Sequence, residues 1–206
     1  MKTKFFAIAI ALISISTAAK AQVGTTSINI GVAPVGYIHE NIAYQDEKYK
    51  YDYKSYVNAS FGIEKQFKGA TSLTEFKYAK AEFDKYDLTG TSQWFNPRQR
   101  KDISSFSFTQ YAGKTINPNK RIQFPLYIGV GLEYLNGGPF HNLIIDGAAK
   151  ARVKFYFSNH FGIYAGATGR IGWGSKKASE SSSSNSDAYS IINTQWSADA
   201  GITIGF

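Results

Sequence analysis

Regular alternation of apolar and polar residues is the main pattern along this chain. From Ile122 to Tyr134 every second residue is apolar, while the residues between them are polar, small or proline. A similar alternation recurs over Gly147–Phe157, over Phe161–Gly174 and in the last residues before Phe206. Because successive side chains of a strand point to opposite faces, a period of two predicts strands that separate two different environments.

Turn residues divide the chain into eight such segments. We predict strands over Ser27–Tyr37, Tyr53–Phe67, Ser72–Phe83, Ile103–Ile116, Arg121–Tyr134, Gly147–Phe157, Phe161–Gly174 and Ser190–Phe206. Each is longer than the roughly five or six residues typical of globular strands, and long enough to cross a bilayer as a tilted strand, which takes about 9 to 11 residues. Long connections alternate with short ones, the long ones being Ile38–Asp52, Asp84–Asp102, Leu135–Asp146 and Ser175–Tyr189. This alternation is typical of outer-membrane barrels with long external loops and short periplasmic turns.

The composition of the two faces predicts which one lines the interior. The polar faces are rich in glycine and serine, which fit the narrow interior of an eight-stranded barrel, whereas the apolar faces carry Leu, Ile, Phe and Trp. A soluble lipocalin-like barrel would have the opposite orientation. The polar faces also carry charges of both signs, and buried charges must be paired. We therefore expect a polar network in the lumen, with Glu133, Arg152, Arg170 and Asp199 as paired members.

Aromatic residues on the apolar faces form two predicted bands. The band at the short-turn ends comprises Phe67, Phe124, Phe155, Phe157, Phe161 and Phe206, and the band at the long-loop ends comprises Phe83, Tyr134, Trp173 and Trp196. Two such bands are typical of the girdles at the two interfaces of a membrane. The fold class is therefore an all-β, eight-stranded antiparallel up-and-down transmembrane β-barrel.

The N-terminus reads as a secretion signal. A basic start is followed by the apolar run Phe5–Ile15 and by Ala19-Lys20-Ala21, so we predict a signal peptide over 1–21 and a single barrel domain over 22–206. Removal of Lys2, Lys4 and Lys20 lowers the formal charge from +8 to +5, which gives little support for a nucleic-acid partner. Cysteine is absent, so the domain must be stabilised by packing or by lipid.

The leader, the strand count, the loop alternation and the terminal strand Asn193–Phe206 together resemble the small eight-stranded outer-membrane barrels of the OmpA/OmpX type. The Lys20-Ala21-Gln22 junction and the Tyr-, Lys- and Asn-rich loops resemble those of Bacteroidetes proteins. The resemblance implies an outer-membrane location in contact with lipid and lipopolysaccharide. It also implies an assembly signal, formed by Phe206, Ile204 and Ile202, that the barrel-assembly machinery reads.

The sequence offers no recognisable catalytic motif, and we predict no cofactor and no metal. We expect a structural or surface-interaction role through the external loops, where the candidate contacts are Trp94, Arg98, Arg100 and Lys101. A lipid A-modifying enzyme is the main alternative, because His39 and His141 lie in predicted external loops with Asp46 and Asp146 nearby. A pore is a weaker alternative, since side chains fill an eight-stranded lumen.

Overall fold

The structure is a computed structural model that describes residues 25–44, 47–89, 102–118, 120–137, 140–177 and 188–206. Its elements are β1 (Thr25–Tyr44), β2 (Glu47–Phe67), β3 (Ala70–Thr89), β4 (Ile103–Ile116), β5 (Ile122–Gly137), β6 (Phe140–Tyr156), β7 (Phe161–Lys177) and β8 (Ala188–Gly205). Each strand pairs antiparallel with the next, and β8 pairs with β1 to close the barrel. The predicted eight-stranded antiparallel barrel is confirmed. The predicted signal peptide lies outside the described residues.

The strands continue well beyond the predicted boundaries at the long-loop end. The segment Ile38–Asp52, expected to be a loop, is strand up to Tyr44 and again from Glu47. Similarly, β6 begins at Phe140 instead of Gly147. A strand of 20 residues such as β1 measures about 65 Å at roughly 3.3 Å per residue, whereas the hydrocarbon core is about 30 Å thick. Even when tilted, the strands therefore carry the barrel past the apolar belt as paired hairpins.

Large apolar side chains cover the outside of the barrel. Ile128 is 74% exposed, and the exposed set includes most of the apolar residues of the predicted strand faces. They form an apolar belt, whose members include Ile30, Val32, Phe61, Ile63, Phe76, Phe106, Phe124, Leu126, Val130, Val153, Phe155, Ile163, Ile171, Trp173 and Trp196. The soluble lipocalin-like alternative is wrong, because its apolar residues would have to lie inside the barrel.

Phe83 corrects one detail of the predicted outer aromatic band. It packs against a buried cluster in the lumen, in edge-to-face contact with Tyr53 at a centroid distance of 6.0 Å. The inward face of β3 runs through Leu73, Glu75, Ala79 and Ala81, and the same alternation carries Phe83 inward. The other predicted band residues are exposed on the outside.

Inward tyrosine rings explain several glycines of the polar faces. Tyr164 lies opposite Gly201 in the β7–β8 register, and a Cβ at Gly201 would lie 2.8 Å from its ring. Tyr111 lies opposite Gly129 in the β4–β5 register, where a Cβ would lie 2.6 Å from the ring. A larger residue would clash at both positions, so the glycines make room for aromatic side chains that fill the lumen.

The connections at the opposite end are short and pack against each other. Lys68 and Gly69 both have positive φ, which permits a two-residue turn between β2 and β3. Thr115 N donates to Gly69 O at 2.7 Å, so this turn contacts the end of β4. The described residues contain no helix that is long and apolar enough to cross a membrane.

Candidate functional site: the barrel lumen and its outer rim

A buried ion cluster occupies the middle of the lumen. Lys150 Nζ donates to Glu75 Oε1 at 2.6 Å, and Arg152 Nη2 donates to Glu75 Oε2 at 2.8 Å. The same guanidinium binds Asp199 Oδ2 through Nε at 3.1 Å and through Nη2 at 3.0 Å. It also lies over the Tyr164 ring, 4.2 Å from the centroid. Arg152 thus joins two carboxylates from strands far apart in the chain.

A second group lies between this cluster and the short turns. Lys154 Nζ donates to Glu64 Oε2 at 2.5 Å, and the Tyr127 hydroxyl donates to the same oxygen at 3.0 Å. Asn29 Nδ2 adds a third hydrogen bond at 3.2 Å. Lys154 and Glu64 are almost completely buried, so the pair is held away from bulk water. Below it, an open cavity of about 400 Å³ faces the short-turn end and is lined in part by Glu64, Gln66 and Gln123.

A third group lies on the long-loop side of the ion cluster. Arg170 forms a two-pronged contact with Asp146, through Nη2 to Oδ2 at 2.6 Å and through Nε to Oδ1 at 3.2 Å. Arg170 Nη1 donates to Ser107 Oγ at 2.8 Å, and Nη2 also donates to Thr109 Oγ1 at 3.2 Å. Glu133 accepts a short hydrogen bond from the Gln195 amide. The structure therefore places Glu133, Arg152, Arg170 and Asp199 in the lumen, with polar or charged partners.

Two acidic residues of the interior were not expected there. Asp146 was predicted to be in an external loop, available to the lipid A-modifying alternative, and this position is wrong because Asp146 is buried and bound to Arg170. Glu40 was also placed in a loop, but it is buried on the inward face of β1. The alternation through Asp146 and Ala148 to Lys150 indicated that Asp146 faces the lumen. We did not extend it to Asp146 because the strand was predicted to begin at Gly147.

An apolar layer closes the lumen beyond these polar groups. It is formed at the long-loop end by the buried residues Ile38, Ile42, Tyr51, Tyr53, Ala81, Ile103, Leu135, Ile144 and Ile191. Ile144 and Ile191 are completely buried. The layer begins at the outer edge of the apolar belt, where Ile145 and Ile192 face outward beside Ile144 and Ile191. It continues into the projecting part of the barrel and packs like the core of a soluble protein.

The outer rim carries a histidine–aspartate pair. His39 Nδ1 makes a short contact with Asp52 Oδ1, and both side chains remain partly exposed, at 40% and 43%. They face each other across β1 and β2, and Thr194 lies opposite His39 on β8. His141 belongs to β6, where it pairs with Asn136. The predicted contacts Trp94, Arg98, Arg100 and Lys101 fall outside the described residues, as does Asp46.

The terminal strand places Phe206 at the short-turn end. Phe206 is 70% exposed, and its backbone N donates to Thr26 O at 2.8 Å. Ile202 and Ile204 lie on β8, opposite Ile30 and Ile28 of β1. These residues therefore belong to the seam that closes the barrel.

Comparison with solved structures gives the same architecture. The outer membrane protein OprG from Pseudomonas aeruginosa is similar at a TM-score of 0.60 and 10% identity, over 90% of this chain and 97% of that chain. The chain has the fold of an outer-membrane β-barrel. Neisserial surface protein A is also similar, at a TM-score of 0.47 and 7% identity, over 90% of this chain and 100% of that chain. No family model and no curated protein matches the sequence.

These likenesses extend to the fold and not to an activity, so the function must be argued from the barrel itself. Among the described residues, no group of three or more His, Asp or Glu side chains is arranged to hold a metal ion. The described residues therefore offer two kinds of chemistry. One is a lumen of paired charges under an apolar layer, and the other is a rim with one histidine–aspartate pair.

Proposed function

We propose that this protein is an integral outer-membrane barrel that acts through its external hairpins and loops, in a structural or surface-interaction role. The observation that carries the proposal is the filled lumen. Ion pairs occupy its middle, and the apolar layer around Ile144 and Ile191 covers its outer end. When the lumen is filled in this way, the external surface is the part of the barrel that is available for interaction.

The apolar exterior supports the membrane location. Transferring apolar surface from water is favourable by about 25 cal/mol per Å². The belt includes residues such as Ile128 and Ile171, which are 74% and 62% exposed, and contact with lipid would remove this apolar surface from water. The short turns would then lie in the periplasm and the extended hairpins outside the cell. The predicted leader over 1–21 would deliver the chain across the inner membrane, and Phe206, Ile204 and Ile202 would present it to the barrel-assembly machinery.

The candidate partners are lipopolysaccharide and surfaces outside the cell. The segment from Trp94 to Lys101 combines aromatic and basic residues between β3 and β4. Arginine binds phosphate groups through paired hydrogen bonds, and tryptophan contributes contact area. Trp94, Arg98, Arg100 and Lys101 are the residues we propose for such contacts.

The membrane assignment is tested by extracting the protein from membranes and comparing its gel migration with and without boiling. We expect a folded form that migrates differently from the boiled form, and recovery in the outer-membrane fraction. A soluble periplasmic protein with one mobility would contradict the assignment. In planar bilayers we expect no stable conductance steps, and large steps would show that the lumen is open.

The interaction role is tested by replacing Trp94, Arg98, Arg100 and Lys101 with alanine. Purified wild-type barrels in vesicles should bind immobilised lipopolysaccharide, and the fourfold variant should bind less. The matched control is Lys120→Ala with Arg121→Ala, because these exposed residues lie at the opposite end of the barrel. Equal loss in both variants would indicate non-specific charge attraction.

A second candidate function is modification of lipid A. It is favoured by the His39–Asp52 pair, in which the carboxylate holds one imidazole nitrogen and leaves the other for acid–base chemistry. Lipopolysaccharide incubated with the folded barrel and a phospholipid would then lose an acyl chain to water or gain one from the phospholipid, as measured by mass spectrometry of lipid A. The change should disappear in His39→Ala and persist in His160→Ala, which alters an exposed histidine in a short turn. Unchanged lipid A with the wild-type protein would remove this candidate.

A further inference from the structure

Polar side chains interrupt the lipid-facing surface of β3 and β4. Ser72, Thr74 and Gln110 lie on the outward face, each half-buried. Thr74 Oγ1 donates to Gln110 Oε1 at 2.6 Å, and Gln110 Nε2 donates to Ser72 Oγ at 3.0 Å. Polar groups that face hydrocarbon are costly and tend to mark functional positions.

Small residues keep this polar cluster accessible from the membrane. Ala70 and Ala112 flank Ser72 on the same face, and both are exposed. Bulky apolar residues surround the cluster on its other sides. Phe76 and Phe108 pack together above it with ring centroids 5.1 Å apart, and Ile63 and Val130 lie beside it on β2 and β5. The result is a shallow recess with a polar floor, next to the short-turn end of the barrel.

Basic residues border the recess at its sides. Lys65 and Lys114 point outward from β2 and β4, on either side of β3, and both are exposed. Lys65 lies opposite Ser72, and Lys114 lies opposite Ala70, two residues closer to the short turns. Two strand spacings and this stagger separate their backbones by about 12 Å, so two long lysine side chains can reach one anion between them.

The whole short-turn end is one-sided in charge. The exposed charged side chains there are basic, namely Lys65, Lys68, Lys114, Lys120 and Arg121, and no exposed Asp or Glu lies at this end within the described residues. Glu64 is near but is buried against Lys154. At the opposite end, by contrast, the exposed Lys54 and Lys80 lie close to the exposed Glu82 and Asp84. The single sign of charge points to an anionic partner.

We propose that this recess binds the headgroup of an anionic glycerophospholipid from the periplasmic leaflet. Lys65 and Lys114 would hold the phosphate, and the Ser72 hydroxyl and the Gln110 amide would face the ester carbonyls on the bilayer side of it. The heights of these side chains suit contact with a headgroup in the periplasmic leaflet. Ser72 and Gln110 lie about 5 to 15 Å above the β2–β3 turn, at roughly 3.3 Å per residue. This inference rests on the proposed outer-membrane location with the short turns in the periplasm.

The proposal is tested by titrating the detergent-folded barrel with phosphatidylglycerol or with phosphatidylcholine of the same acyl chains and counting bound lipids by native mass spectrometry. Wild-type protein should retain phosphatidylglycerol preferentially. Each lysine beside an anionic headgroup is worth about a fivefold change in affinity. We therefore expect Lys65→Gln with Lys114→Gln to weaken phosphatidylglycerol binding about 25-fold.

The matched control is Lys54→Gln with Lys80→Gln, which removes two exposed lysines from β2 and β3 at the other end. We expect this control to bind like the wild-type protein. Gln110→Leu should also weaken binding, because it removes the polar floor and leaves both lysines in place.

Four outcomes overturn the proposal. Equal loss in both lysine pairs, or no loss in Gln110→Leu, would mean a diffuse electrostatic attraction instead of a built site. Dimers without bound lipid that dissociate in Gln110→Leu would assign the recess to contact between copies of the chain. Heat-dependent gel mobility is measured first, so that a barrel that folds but shows no lipid preference refutes this inference without affecting the proposed function.

Discussion

Replacement of Arg152 by methionine should destabilise the barrel more than any change to an exposed arginine. Arg152 is buried and makes hydrogen bonds of 2.8 to 3.1 Å to Glu75 and Asp199, besides lying over the Tyr164 ring. Methionine keeps much of the side-chain volume but leaves Asp199 without its guanidinium. The nearest remaining cation is Lys150, whose Nζ lies 3.8 Å from Asp199.

The expected loss follows from what each carboxylate keeps. Glu75 retains Lys150 at 2.6 Å, so its charge stays compensated. Asp199 becomes a buried charge that keeps Lys150 at 3.8 Å and a 3.5 Å hydrogen bond from Thr168 but no close cation. Breaking one side of a buried ion pair costs about 3 to 5 kcal/mol. The double variant Arg152→Met with Asp199→Asn removes both charges, so it should recover more than half of this loss. The two substitutions should therefore be strongly non-additive.

Urea titration of barrels folded in lipid vesicles measures these free energies. The emission of the outward Trp173 and Trp196 should shift when they leave lipid, and gel mobility gives an independent measure of the folded fraction. Arg121→Met is the matched control, because Arg121 is exposed in a short turn. Its expected effect is below about 0.5 kcal/mol. If Arg152→Met costs no more than Arg121→Met, the lumen charges are hydrated and the argument from a dry ion cluster fails.

Three further predictions concern other parts of the barrel. Deletion of Phe206 should lower the yield of folded protein in the outer membrane more than it lowers the stability of barrels folded in vitro, and equal yields would contradict a role in assembly. Gly129→Ala should lower the free energy of unfolding by about 1 to 3 kcal/mol, because the added Cβ would lie 2.6 Å from Tyr111. Gly147→Ala should be tolerated, because a Cβ there would meet nothing within 4 Å. Similar urea midpoints for the two variants would refute close packing of the Tyr111 ring on Gly129. Ile144→Ala should cost about 2 to 5 kcal/mol by opening a cavity in the apolar layer, and the neighbouring, lipid-facing Ile145→Ala should cost clearly less, so equal losses would mean that the layer is not tightly packed.

Local alternation was enough to predict the architecture. In β5 the apolar residues from Ile122 to Tyr134 face outward and are largely exposed, as their spacing indicates. The contrast between lipid and lumen is strong over this stretch, so the polarity of each residue indicates which face of the strand it lies on. The same contrast separated the lumen charges from the belt, including Glu133, Arg152, Arg170 and Asp199.

The same alternation of apolar and polar residues did not predict the projecting hairpins. Past the bilayer, one face of each strand meets water, and residues such as those of Ile38–Tyr44 read as a charged loop. They remain strand because β1 pairs with both β2 and β8 over this stretch and satisfies its backbone hydrogen bonds. The apolar layer inside the hairpins follows from that pairing.

The number of strands and the outward direction of the apolar faces follow from the sequence alone, because each depends on residues close together in the chain. Closure of the sheet instead joins β1 to β8, through pairs such as Ile28 and Ile204. Which charges meet, by contrast, is set by the three-dimensional arrangement of the strands. Arg152 finds Glu75, 77 residues away, and Asp199, 47 residues away, because closure of the barrel brings β3, β6 and β8 to one level of the lumen. That level is set by the register of every strand pair around the ring, and no single segment of the sequence carries it.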